Sequence, residues 1–122
     1  MRPALKRAYR ASAYRVDGLL LRVGRRPLWP GPPSVLLTAH NPHSRRQSPG
    51  WNARMLRALD TALRHHPWRE AESGQGAWRE IQRLVEMDAR AGCALARRFR
   101  QNAVLVLKRH QPPLLVILVR AP

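Results

Sequence analysis

Turn-forming residues cut this chain into short apolar segments, and that punctuation restricts it to a small domain of brief strands and a few helices. The longest apolar run, Leu114–Val119, is six residues. A bilayer span needs about 20, so no membrane segment is expected. The run Gly18-Leu19-Leu20-Leu21 follows Asp17 and is too short for a secretory signal. With 122 residues there is room for one core of the commonest domain size, which needs no covalent staple. Cys93 is the only cysteine, which excludes an internal disulfide and a cysteine-based zinc site and points to a cytoplasmic protein.

Residues 1–13 are basic and weakly patterned and read as a partly ordered lead-in to a single domain over 14–122. Alternation from Tyr14 to Val23 predicts a first strand, with Gly18 as a bulge or hairpin turn. Residues 24–33 hold four prolines and two glycines and form a loop. Ser34–Ala39 reads as a buried strand ended by His40-Asn41-Pro42. Ser48-Pro49 then opens a helix whose Trp51, Met55, Leu56, Leu59 and Leu63 share one stripe, with Arg54, Arg57, Thr61 and Arg64 opposite. A hairpin follows, Trp68–Glu72 and Trp78–Val85 around Ser73-Gly74-Gln75-Gly76. Asp88 caps a second helix, Ala89–Arg100, closed by Asn102. Ala103–Leu107 and Leu114–Val119 are apolar on both faces, which predicts a central hairpin of the sheet. The fold class is therefore α+β: a mixed sheet of about six strands with two helices on one face, in the order β-β-α-β-β-α-β-β.

The formal charge is +16, from 23 basic and 7 acidic residues. Residues 1–57 hold twelve basic side chains against Asp17 alone. Such a potential attracts polyanions, and it bears on association and solubility rather than on one activity. Trp29, Trp51, Trp68 and Trp78 sit among arginines, a pattern able to stack on unpaired bases. No helix-turn-helix, RNA-recognition or zinc-finger pattern accompanies it.

The residues with most chemical promise follow the second strand. Thr38, His40, Asn41 and Ser44, then Asn52 and Arg54, surround a strand end and a helix start, where N–H groups suit an anion. Arg45 and Arg46 in the same loop can grip phosphate or carboxylate in a planar fork. Asn41-Pro42 and Ser48-Pro49 are equally ordinary turn and cap residues. Glu80 is the best acidic candidate for proton transfer and His40 the best basic one, although Glu80 could also simply pair with an arginine. Neither His40/His43 nor His65-His66 has metal-site spacing, so no metal and no cofactor is expected. Cys93 lies among alanine and leucine and reads as inert packing.

Several phrases resemble an uncharacterised bacterial family known as domain of unknown function 3293. They are Ala8-Tyr9-Arg10 through Tyr14-Arg15-Val16 and Leu21-Arg22-Val23-Gly24, then Leu37-Thr38-Ala39-His40-Asn41-Pro42-His43-Ser44-Arg45 with Asn52 and Arg54. Trp78-Arg79-Glu80 and Leu95-Ala96-Arg97-Arg98-Phe99-Arg100-Gln101-Asn102-Ala103-Val104 complete the set. Gln82 stands where members tend to carry a small polar residue, and 24–33 is a loop where members have a helix-like stretch. The resemblance implies a fold and no activity. The expected function is binding of an anionic ligand or nucleic acid through an arginine-rich face. The alternatives are a small enzyme acting on a phosphate- or carboxylate-bearing metabolite, and a protein-interaction module.

Overall fold

A computed structural model describes residues 1–118. Its elements are α1 (Pro3–Ala11), β1 (Ala13–Val16), β2 (Leu19–Leu21), β3 (Ser34–Leu37), α2 (Pro49–Ala62), β4 (Trp68–Gln75), β5 (Trp78–Glu86), α3 (Ala89–Arg98), β6 (Ala103–Leu107) and β7 (Leu114–Ile117). The strands form one sheet in the order β2-β1-β4-β5-β3-β6-β7. The α+β class stands, in one domain. Every strand pairing is antiparallel rather than mixed. The seventh strand arises because Asp17 (φ 48°) and Gly18 (φ 78°) turn the first segment into a hairpin, which pairs Tyr14 with Leu21.

Two further expectations change. The segment 3–11 is a helix, not a loosely ordered lead-in, with Pro3 at its first position, where no intrahelical N–H bond is lost. The C-terminal hairpin is not central: β6 is next to last and β7 is the edge, with Leu114 50% exposed. Apolar residues on both faces report what covers the faces and say nothing of lateral position. Val116 and Leu118 pack on the core beneath the helices, which explains the composition without a central place. Val119, the expected end of this strand, lies outside the described residues.

Alternation along β3 divides the interior. Val35 and Leu37 join Val85, Val104 and Val106 beneath Leu59 and Leu63 of the α2 segment and Ala96 and Phe99 of the α3 segment. Both helices thus cover one face, as their stripes predict. Ser48 caps α2 by accepting from the Trp51 N–H at 3.1 Å, and Asp88 caps α3 by accepting from the Ala91 N–H at 2.8 Å. Arg100 (φ 57°), not Asn102, takes the left-handed conformation after α3. Gly92 lets α3 approach β3 closely, since a Cβ there would sit 2.6 Å from Val35 Cγ1.

Leu36, Leu84 and Leu105 point to the opposite face and meet Tyr14, Val16 and Leu21. β1 and β6 are separated by three strands in the sheet, so this contact requires the sheet to curl around its second core. Trp29 completes that core from the proline-rich loop, buried at 3% exposure, with its indole N–H donating to Pro32 O at 2.7 Å. It is therefore unable to stack on a base. The expected turn 73–76 also moves: β4 and β5 run on to a two-residue turn at Gly76-Ala77, with Gly76 at φ 58°.

Candidate functional site

Toward the β4–β5 turn, the curled face is left unfilled. A cavity of about 270 Å³ opens there beneath α1. The helix contributes Leu5, Ala8 and Tyr9, spaced three and four residues apart on one stripe, with Ser12 just beyond its end. β5 contributes Trp78, Glu80 and Gln82, which alternate onto this face, while Tyr14 and Ser73 come from β1 and β4. Leu36, Ala103 and Leu105 form the apolar floor. Among the described residues, no arginine, lysine or histidine lines it. In a chain of +16 net charge, this is a concave patch whose described lining carries no cationic side chain.

The loop after β3 supports one wall. Asn41, at φ 48°, is buried and fully employed: its N–H donates to Asn52 Oδ1 at 3.0 Å, and its own Oδ1 accepts from Asn52 Nδ2 at 3.0 Å and from the Gln47 N–H at 2.8 Å. Its Nδ2 donates to Glu80 Oε2 at 2.9 Å. Asparagine is among the few residues that tolerate this backbone conformation. His43 and Ser44 also have positive φ, 53° and 60°. Three such residues in four mark a loop held by its surroundings. Ser44 Oγ accepts from Asn102 Nδ2 at 2.9 Å and shares a 2.7 Å hydrogen bond with the Tyr9 hydroxyl. That bond ties α1 to the loop. Thr38 Oγ1 donates to Ile81 O at 2.6 Å and accepts from the His40 N–H at 3.0 Å.

Burial raises the pKa of Glu80 above the ordinary carboxylate range, opposed by the hydrogen bond from Asn41 and a weaker one from the Trp78 side chain. Burial likewise raises Tyr9 and Tyr14, so both phenols stay protonated. His40 is lowered by burial and then by the nearby Arg83 charge. Arg83 itself lies across the sheet, bidentate to Asp60 at 2.8 and 3.1 Å and over the Trp68 ring at 4.3 Å.

The expected site residues therefore separate. Thr38, Ser44 and Glu80 line the cavity, and Asn41 and Asn52 brace Glu80 and the loop from behind. His40 contributes its backbone, the N–H donating to Thr38 Oγ1 and the carbonyl accepting from Gln101 Nε2 at 3.1 Å. Arg45 and Arg54 are exposed and outside the lining, and Arg46 lies over the Trp78 ring at 4.8 Å. Tyr9, Tyr14, Ser73 and Gln82 were not expected. The stripe Leu5/Ala8/Tyr9/Ser12 and the alternation Trp78/Glu80/Gln82 are the signals that could have found them.

The family described as "Protein of unknown function (DUF3293)" matches residues 37–104, more than half of the chain. The chain belongs to this family. The DUF3293 match takes in the loop from Thr38 to Arg46, Glu80, Gln82 and the Gln101-Asn102 pair, hence most of the hydrogen-bonded wall. α1 and the β1–β2 hairpin, which supply Tyr9 and Tyr14, lie before it. No curated protein and no solved structure gave a significant match. Among the described residues, no group of three or more His, Cys, Asp or Glu side chains could hold a metal ion, and no helix is long and apolar enough to cross a membrane.

Proposed function

We propose that the protein binds a small, partly apolar organic ligand in the cavity beneath α1, with Glu80 as the polar anchor. The observation that carries this reading is the composition of the wall: hydrogen-bonding side chains around one carboxyl group, on an apolar floor, with no cation among the described residues. A concave site with a few convergent polar groups and a perturbed carboxyl is the usual form of a ligand pocket. At about 270 Å³ it falls just below the roughly 300–1,000 Å³ range of drug-sized pockets, which favours a ligand of one or two rings. An anion would enter without a compensating charge and face the Glu80 carboxylate.

The test is chemical-shift mapping on the ¹⁵N-labelled chain with indole as a neutral ring and benzoate as its anionic counterpart. Indole should shift the amides of Ser44, Trp78 and Glu80, and benzoate should not. Ala8→Trp, which fills the space under α1, should abolish the indole shifts. Benzoate binding at these amides, or indole shifts confined to the helix-covered face, would refute the reading.

A further inference from the structure

The lining of the cavity presents acceptors beside the hydroxyl groups of Tyr14 and Ser73. Gln82 donates its amide nitrogen to Ser73 Oγ at 2.8 Å. Gln101 donates its own to His40 O at 3.1 Å and Phe99 O at 3.2 Å. No donor among the described residues reaches either amide oxygen. Glu80 adds its carboxyl group, whose Oε2 accepts from Asn41 Nδ2 and which the Trp78 side chain also approaches. A matching ligand brings an N–H donor to these acceptors and an acceptor to the protonated Tyr14 hydroxyl. Tyr9, Tyr14 and Trp78 supply aromatic surface around the same space, which favours a flat ring over an aliphatic chain.

Charge decides between two kinds of donor. A free ammonium or guanidinium ligand would have to approach through the field of a +16 protein. A neutral ring bearing an amino group meets no such barrier, and an attached phosphate is attracted by the field. The surroundings supply cations for it. Arg46 is stacked over Trp78, a wall residue, at 4.8 Å. Lys6 and Arg10 stand on α1, the helix that covers the cavity.

Building on the pocket reading above, we infer that the cavity accepts a nucleobase carrying an exocyclic amino group, cytosine- or adenine-like, whose phosphate rests on the cationic rim formed by Arg46 and α1. The amino group donates to Glu80, as amino groups of bases do to carboxylates elsewhere. The same chemistry is offered by a free nucleotide and by an unpaired base in a single strand, where extrusion from a stack costs least.

The test compares cytidine 5′-monophosphate, uridine 5′-monophosphate and the single-stranded homopolymers oligo-dC and oligo-dT by fluorescence titration of the full chain. Cytidine monophosphate should bind about tenfold more tightly than the uridine compound, the factor expected for one good base-edge contact. Glu80→Gln, nearly isosteric and able to donate, should erase or reverse that preference. Arg46→Ala should weaken both nucleotides together. A steep salt dependence with oligo-dC much tighter than the monophosphate identifies a single strand as the source; equal affinities identify a free nucleotide. Absence of any preference for the amino base, or a preference that survives Glu80→Gln, overturns the inference. If indole fills the cavity while neither nucleotide does, the pocket reading stands and this one falls.

Discussion

The two faces of the sheet are made by the same alternating strands, yet they end differently. On the helix-covered face, α2 and α3 close over valine and leucine until α3 has no room for a Cβ at Gly92. A buried charge there, Arg83, is matched by the Asp60 carboxylate. On the curled face, Leu36, Leu84 and Leu105 are packed at one end, while the other end is roofed by nine residues of α1, none of them buried. There the strands carry Ser73, Glu80 and Gln82 where the opposite face carries apolar side chains or ion pairs. A short roof over polar wall residues leaves space. The contrast separates residues that hold the fold from residues free to meet a ligand.

Truncation on the packed face should cost most. Leu59→Ala, at a fully buried position, should lose about 2–5 kcal/mol in urea unfolding, the transfer term plus an unfilled void. Asp60→Ala removes the bidentate partner of Arg83, which has 7% side-chain exposure, and leaves it the exposed Glu70 carboxylate at 3.7 Å. Removing one partner of a buried pair costs about 3–5 kcal/mol, and the 30% exposure of Asp60 places this change toward the lower end. Gly92→Ala should lose about 1–3 kcal/mol by overpacking against Val35. A neutral result there would mean that α3 can lift away from β3.

The curled face should respond less in stability and more in binding. Tyr9→Phe removes one hydrogen bond to Ser44, worth about 0.5–1.5 kcal/mol, and loosens the attachment of α1 over the cavity. Glu80 gives a pH signature. Its folded pKa is raised, so the folded state takes up a proton at higher pH than the unfolded chain does. The resulting stabilisation is complete below the unfolded pKa and is lost as pH rises through the folded pKa. Glu80→Gln should flatten that slope in thermal melts across the mildly acidic range. Arg54→Ala, exposed and outside the cavity, should change stability by less than about 0.5 kcal/mol and leave the indole shifts unchanged.

Local chemistry made much of this legible in the sequence. Ser48-Pro49 and Asp88 mark helix starts through hydrogen bonds made within three residues, and the α2 stripe identifies its buried side. What stayed hidden depends on distant partners. The lateral order of strands is not written in their hydrophobicity, so β7 reads as central although it is an edge. α1 has no acidic first turn and no side-chain cap, and its stripe acquires meaning only once the curled sheet lies beneath it. The loop from Thr38 to Ser44 was recognisable as special. Its charge logic was not, because Arg45 and Arg54 point away from the cavity while Glu80, from a later strand, comes into it.

The central claim is that this cavity is set apart from the positive charge that covers the rest of the protein. A ¹³C titration of the Glu80 carboxyl measures that directly. Burial away from cations predicts a midpoint above the ordinary carboxylate range, as no arginine among the described residues lines the space to hold the charged form. A midpoint at or below that range would mean that arginine side chains reach Glu80, and the site would then be an anion site after all.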